Sequence, residues 1–141
     1  LEQMKNIYGS HTFYPTPVIQ KAFRARPDGL LPEMDDDGGT MSAWFVLSSV
    51  GIYPVTIGEP FYFLTTPIFQ HAVLHLSSGK DFRIDVQGNP VQDSYIQSAT
   101  LNGRPLNRDW FRDAEIKAGG ILKIKVGPTR NRAWGATPPP Y

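Results

Sequence analysis

The 141-residue sequence contains no cysteine, which excludes a disulfide framework, a thiolate metal site and a cysteine nucleophile. Its formal net charge is only +1, so the chain as a whole has no strong field that would attract nucleic acid or a membrane surface. Long apolar runs are also missing. The longest, residues 43–55, is interrupted by two serines, a glycine and a proline, and it is too short and too polar to cross a bilayer.

The composition is that of a folded chain rich in turns. Hydrophobic residues make up 40% of the sequence and aromatic residues 12%, which is enough to form a core and argues against intrinsic disorder. Thirteen prolines and thirteen glycines are many for a helical bundle and favour a chain with frequent turns. The length corresponds to about one domain.

Acidic residues are concentrated in the first half of the chain. Residues 27–79 contain six carboxylates and no lysine or arginine, and three of the six are consecutive, at Asp35, Asp36 and Asp37. Neighbouring like charges repel. We therefore expect this acidic stretch to face water, to bind a cation or to be matched by residues from elsewhere in the fold.

A helix is predicted directly after the acidic stretch. Gly39 or Thr40 can cap it, and Gly51 is a plausible end, with Pro54 shortly after. Apolar residues recur at helical spacing, and further apolar residues extend this face to most of the helix surface, which predicts a largely buried helix. These residues are Met41, Trp44, Phe45, Val46, Leu47 and Val50. The carboxylates would thus precede a helix N-terminus, where the helix dipole favours negative charge.

From residue 60 onward the hydrophobic period changes to two. Turn signals separate the alternating runs, so five strands are predicted, over residues 61–64, 72–76, 81–86, 95–101 and 121–126. One face of these strands is apolar and the other polar, which is typical of antiparallel sheets. The predicted fold class is α+β: a short helical segment followed by a small antiparallel β-sandwich-like module. The predicted domains are residues 1–57 and 58–141.

Several common site motifs are absent. An EF-hand loop starting at Asp35 would place Gly39 and Val46 where oxygen ligands are needed. His71 and His75 are four residues apart, but no glutamate lies between them and their context predicts a strand, so we interpret them as ordinary sheet histidines. No glycine-rich phosphate loop is present, and the C-terminal basic residues lack the aromatic pattern typical of nucleic-acid binding.

Two interpretations of the acidic stretch are open on chemical grounds. Carboxylate runs are often only solvated loops. However, in an extended segment Asp35 and Asp37 would point to the same side and could both address one water molecule, while Asp36 would point away. Such a pair, kept ionised, can serve as general base on one side of a sugar.

The acidic stretch and several later segments carry a resemblance to a known family. The run from Asp35 to Leu47, DDDGGTMSAWFVL, and the GIYPV of residues 51–55 resemble a signature of the α-mannosidases of glycoside hydrolase family 92. Further similar segments stand in the family's order, at residues 26–30, 95–106, 119–122 and 131–135. The resemblance thus covers about residues 26–135.

The resemblance implies an exo-acting, calcium-dependent, inverting α-mannosidase that hydrolyses α-1,2-mannosidic bonds in mannose-containing glycans. The family's catalytic domain is an (α/α)6 barrel accompanied by β-sandwich structure, and residues 1–57 would be the end of that barrel. The family's acidic loop supplies the general base, which implies Asp37 as the base, with Asp35 sharing or orienting the water. A secreted or periplasmic location is also implied.

The sequence departs from the family pattern in two respects. Pro32-Glu33-Met34 stands where the family usually has a glycine just before the acids. The family's catalytic glutamic acid, and the segment rich in histidine and asparagine, belong upstream and have no counterpart here. We therefore expect the chain to be the C-terminal piece of such an enzyme, inactive alone, with the calcium ligands and the remainder of the catalytic domain outside it.

The alternative is a non-catalytic β-sandwich module that binds carbohydrate or a partner protein. Trp110 and Trp134 could then form a carbohydrate platform, although we favour packing of both rings against the sheet. Trp44 could likewise line a sugar pocket, but its place on an apolar helix face favours core packing.

Overall fold

The computed structural model of the protein describes residues 38–56 and 58–140. Within these ranges an α-helix, α1, spans Thr40–Val50, as the sequence predicts. The helix is followed by Gly51, which has a φ of +101° and whose N–H donates to the Ser48 carbonyl at 3.2 Å. A Cβ at Gly51 would lie 2.6 Å from Cγ of Pro67, so both the backbone conformation and the available space favour glycine here.

The described part of the chain continues with eight strands and one short 3-10 helix, Asp113–Glu115. The strands are β1 (Ile52–Tyr53), β2 (Phe61–Leu64), β3 (His71–His75), β4 (Asp81–Gln87), β5 (Tyr95–Leu101), β6 (Arg104–Leu106), β7 (Trp110–Arg112) and β8 (Gly120–Gly127). The five predicted strands correspond to β2, β3, β4, β5 and β8. The short strands β1, β6 and β7 were not predicted.

The strands form two sheets. A three-stranded antiparallel sheet has the order β1-β2-β7, and a five-stranded sheet has the order β3-β4-β8-β5-β6. Strand β6 contains Pro105, which lacks a backbone N–H, and it lies at the edge of its sheet, the position that tolerates proline. A register shift between Ile96 and Ser98 marks a bulge in β5.

The hydrophobic core lies between these sheets. In β4, Phe82, Ile84 and Val86 are buried while Arg83 is exposed, which is the alternation expected of a half-buried strand. The corresponding inward positions of β5 and β8 are also buried: Ala99, Leu101, Leu122, Ile124 and Val126. Leu106 of β6 also belongs to the cluster, and Ile52, Phe111 and Ile116 join it from the smaller sheet and its connections.

Phe111 in β7 joins the two sheets. Its ring centroid lies 5.9 Å from that of Phe82 in β4 and 5.6 Å from that of Tyr62, its neighbour in β2, on which it stacks. Neither Phe82 nor Phe111 is accessible to solvent. Aromatic pairs at such separations add to the free energy of burial. Tyr62 is half-buried, as is Tyr53.

The α+β class with a β-sandwich-like module is therefore confirmed, with two differences in detail. Strands β4 and β8 pair in parallel, with Phe82 opposite Gly120 and Gln87 opposite Lys125, whereas the alternation predicted antiparallel sheets throughout. An alternating pattern defines the face of a side chain but not the direction of the neighbouring strand, which explains the error.

The second difference concerns the helix, which is not largely buried. Leu47 and Val50 pack on the core, and Ser49 is buried, but Phe45 is 46% exposed and Val46 56% exposed. The apolar surface of α1 is thus wider than the described part of the sandwich can cover. Among residues 38–56 and 58–140, no helix has the length and apolar character needed to span a membrane.

The described residues from Ser42 onward belong to one compact unit. The predicted boundary between residues 57 and 58 stays a prediction.

Candidate functional site

The two predicted catalytic residues, Asp35 and Asp37, lie outside the described residues, and their roles stay predictions. The structure does describe the residues immediately C-terminal to the acidic stretch. Gly38 and Gly39 form a turn with φ of +66° and +90°, and α1 begins at Thr40. Both glycines adopt a backbone conformation that other residues rarely take. The predicted start of a helix directly after the acidic stretch is therefore confirmed.

The described residues offer no ready site for a metal ion. Among them, no group of three or more histidine, cysteine, aspartate or glutamate side chains is arranged to hold a cation. Ca²⁺ takes six to eight oxygen ligands, which include backbone carbonyls and water as well as carboxylates, so calcium binding stays a prediction.

Both histidines of β3 are sheet histidines, as predicted. Nδ1 of His71 lies 3.0 Å from a carboxylate oxygen of Asp85, and Nδ1 of His75 lies 2.8 Å from one of Asp81. Each pair stands directly opposite across β3 and β4. Because the imidazoles are 76% and 83% exposed, we interpret the pairs as surface cross-strand contacts.

A network of polar contacts centres on Glu115. Nη2 of Arg108 lies 2.6 Å from both carboxylate oxygens, and the N–H of Arg112 donates to Oε2 at 2.8 Å. The Arg108 guanidinium also lies 4.5 Å from the centre of the Trp110 ring, and its Nε donates to the Trp110 carbonyl. Burial alone would raise the pKa of Glu115, but these hydrogen bonds and the charges of Arg108 and Arg112 hold it below its ordinary value of 4.5.

The lowered pKa of Glu115 predicts a pH-dependent contribution to stability. Since the folded state favours the ionised carboxylate, its contribution is present above the unfolded pKa and is lost as the pH falls through the folded pKa. We expect Glu115→Gln to lower the free energy of unfolding by about 1 kcal/mol or less at pH 7, as for other partly exposed ion pairs. The difference from the wild type should shrink as the pH falls below the ordinary glutamate pKa of 4.5 and disappear only below the lowered pKa of the folded state.

Urea unfolding of both proteins across the acidic range measures this difference. Asp113→Asn is the control, since Asp113 pairs with Lys117, whose side chain is 72% exposed, and it should change stability less. If Glu115→Gln lowered the free energy of unfolding equally at both ends of the pH range, ionised Glu115 would not be the source of the stabilisation.

Trp110 and Trp134 pack against the protein, as predicted. Trp110 is 7% exposed, its ring meets that of Phe61 edge-on at 5.2 Å, and its Nε1–H donates to the Thr137 carbonyl. Trp134 packs on the core and donates its Nε1–H to the Leu106 carbonyl at 2.7 Å. Neither ring forms a free platform. Together they fasten the C-terminal segment to the sandwich.

Other segments that carry the resemblance also have structural roles. Oδ1 of Asn102 accepts the N–H of Ile121 at 2.9 Å, and a Cβ at Gly120 would collide with the Asn102 side chain. Asn131 donates through Nδ2 to the Gln97 carbonyl at 2.9 Å. These contacts tie the β5–β6 turn and the C-terminal segment to the sandwich. They explain the residue types without assigning them to catalysis.

Sequence reasoning missed one cleft, in which Asp109, Arg130 and Tyr95 come together with Trp134. The first two are 21 positions apart in the sequence, in a loop and in the C-terminal segment, and they belong to no motif. Burial raises the pKa of Asp109 above its ordinary value of 3.8, partly offset by a hydrogen bond from its own backbone N–H. No sequence signal joins these residues, because only the fold brings the segments together.

The comparisons with known proteins agree with the resemblance. A family model described as the glycosyl hydrolase family 92 catalytic domain matches residues 14–128. An uncharacterized secreted glycosidase of Arthroderma benhamiae is 30% identical over 104 residues, which are 72% of this chain and 13% of that protein.

Solved structures give the same result. An inverting mannosidase of family GH92 from Bacteroides thetaiotaomicron is 37% identical, with a TM-score of 0.66 over 73% of this chain and 14% of its own. Another GH92 glycosyl hydrolase is 33% identical, with a TM-score of 0.72 over 84% of this chain and 16% of its own.

The chain spans 13 to 16% of the length of these relatives, so it corresponds to a small part of them. The family match begins before the acidic stretch and continues through α1 to the end of β8. By this match, the chain belongs to glycoside hydrolase family 92.

Proposed function

We propose that the chain is the part of an inverting, exo-acting α-mannosidase that carries the general base. The observation that carries the proposal is the family match across residues 14–128, which includes the acidic stretch and the helix after it. The relative that is an inverting mannosidase is 37% identical to this chain. The proposed substrates are mannose-containing glycans with terminal α-1,2 bonds.

The proposed reaction uses two carboxyl groups on opposite sides of the scissile bond. Asp37 accepts a proton from water while the water oxygen attacks the anomeric carbon, and a carboxylic acid protonates the departing glycosidic oxygen. Asp35 orients the same water through a hydrogen bond. The configuration at the anomeric carbon is inverted because the attack occurs from the face opposite the leaving group.

The general acid is proposed to lie outside this chain. The sequence has four glutamates, Glu2, Glu33, Glu59 and Glu115, and Glu115 is engaged by Arg108 and Arg112. None stands in the segment rich in histidine and asparagine that the resemblance requires. Without an acid to protonate the leaving oxygen, we expect this chain alone to release no mannose.

The proposal also includes calcium dependence and a cellular location. As the resemblance implies, the whole enzyme is proposed to depend on calcium, with the calcium ligands outside this chain. A secreted or periplasmic location is proposed, supported by the relative named a secreted glycosidase. The alternative, a non-catalytic β-sandwich module, leaves the family match across the acidic stretch unexplained.

The test uses the full-length protein that contains this chain, with α-1,2-mannobiose as the substrate. Proton NMR during the first minutes should show β-mannose before mutarotation, since inversion of an α-linkage gives the β-anomer. Mannobioses with α-1,3 and α-1,6 linkages serve as the comparison for linkage preference, and the isolated chain serves as the inactive control. Initial release of α-mannose, or no hydrolysis of any α-mannoside, would overturn the proposal.

A further inference from the structure

The cleft missed by the sequence analysis lies where the ends of β2, β5 and β7 meet the C-terminal segment. Its lining includes Thr66 after β2, Tyr95 at the start of β5 and Asp109 just before β7. The C-terminal segment contributes Arg130, Asn131 and Trp134. All of these residues belong to the compact unit that begins at Ser42.

Hydrogen bonds fix much of the cleft wall. Asn131 donates through Nδ2 to the Gln97 carbonyl at 2.9 Å and accepts the N–H of Ala133 through Oδ1 at 3.0 Å. The Trp134 indole is held by the Leu106 carbonyl, and the Thr66 hydroxyl donates to the Ser94 carbonyl at 2.9 Å. The wall is therefore ordered in advance, which lowers the entropic cost of binding a ligand.

Three side chains in the cleft form no hydrogen bond, ion pair or ring contact with another described side chain, although the Asp109 carboxylate accepts a hydrogen bond from its own backbone N–H. The carboxylate of Asp109 and the guanidinium of Arg130 line the same cleft, yet no ion pair joins them, and neither side chain bonds to another described side chain. The ring of Tyr95, 43% exposed, lies in the same lining. The carboxylate, the guanidinium and the ring are therefore available to a ligand in the cleft.

The combination of these groups indicates the class of ligand. A carboxylate accepts hydrogen bonds from two hydroxyls, a guanidinium donates to hydroxyl or ring oxygens, and an aromatic ring covers an apolar C–H face. A simple anion would be repelled by the Asp109 carboxylate, and a simple cation would be repelled by the Arg130 guanidinium. A neutral ring with adjacent hydroxyls on an apolar face suits all three groups.

We propose that the cleft formed by Asp109, Arg130, Tyr95 and Trp134 binds a neutral hexose residue and differs in its residues from the proposed hydrolytic site. It uses none of the residues assigned to hydrolysis, so it stands whether or not the proposed mannosidase activity is found. In the full-length protein such a site would hold a glycan chain without cleaving it.

The test is titration of the 15N-labelled 141-residue chain with α-1,2-mannobiose, followed by NMR. We expect shifts of the Trp134 indole and of the Asn131 side-chain amide. Asp109→Asn and Arg130→Gln should each weaken binding about tenfold, the effect of losing one hydrogen bond to a charged group. Arg132→Gln is the matched control: Arg132 is exposed in the same segment and is not part of the cleft lining.

Stability measurements separate binding from folding. Since burial disfavours the ionised form of Asp109, Asp109→Asn should unfold at the same temperature as the wild type or a higher one at pH 7. Weaker binding with undiminished stability would support the proposal.

Four results would overturn the proposal. One is the absence of any chemical-shift change at about 10 mM saccharide, which would mean that the cleft does not bind the saccharide specifically. A second is equal weakening in Arg132→Gln. A third is stronger binding of glycine at the same resonances, since a zwitterion also complements a carboxylate and a guanidinium. The fourth is loss of binding in Asp35→Asn/Asp37→Asn with retention in Asp109→Asn, which would place the saccharide at the hydrolytic site.

Discussion

Asp37→Asn in the full-length protein is expected to lower kcat/KM for α-1,2-mannobiose by a factor of about 10² to 10⁴, the usual contribution of a general base. Asparagine has nearly the same shape as aspartate but cannot accept the proton of the attacking water. Kinetics of mannose release measures the effect, and thermal unfolding checks that the variant is folded. The same turnover in Asp37→Asn and in the wild type would remove Asp37 from the role of base.

The two neighbouring carboxylates provide matched controls. Asp36→Asn makes the same chemical change one position away, on the side chain expected to point to the opposite side of an extended segment, and should keep most of the activity. Asp35→Asn should give an intermediate loss, because it removes only a group that orients the water. A larger loss in Asp35→Asn than in Asp37→Asn would exchange the two roles.

The fold was predictable where the pattern of side chains is local. The helix stops before Gly51 as predicted, since a glycine with positive φ is a local signal for the end of a helix. The alternation of Phe82, Ile84 and Val86 with exposed neighbours likewise predicted β4 and its inward face. The strands that were missed have only two or three residues, as in Ile52–Tyr53, which is too short for a period of two to be recognised.

The features that could not be predicted depend on partners distant in sequence. The parallel pairing of β4 with β8 needs a crossover that alternation does not encode. The exposure of Phe45 and Val46 depends on what packs against the helix, and the chain spans only a small part of its relatives. Asp109 and Arg130 line the same cleft only because of the path that the C-terminal segment takes. The acidic stretch was identified from its sequence context, and its geometry stays a prediction.

Phe111→Ala is expected to destabilise the β-sandwich by about 3–5 kcal/mol, the usual effect of removing a buried phenylalanine ring. Phe111 is inaccessible to solvent and contacts Phe82 in one sheet and Tyr62 in the other, so alanine would leave a cavity where the two sheets meet. Since whole domains are stable by only about 5–15 kcal/mol, this loss is large enough to leave a substantial unfolded fraction. Urea unfolding followed by tryptophan fluorescence measures it, because Trp110 and Trp134 are packed in the folded state.

Phe69→Ala is the matched control for this loss. It removes the same ring from a position that is 51% exposed, where folding buries less apolar surface. The free energy of unfolding should therefore fall by about 1 kcal/mol or less. The difference between the two variants isolates the contribution of the contact between the sheets from the general effect of replacing phenylalanine with alanine. Equal losses in the two variants would mean that the sheets are not held together through Phe111, and the core between them would then have to be packed around other side chains.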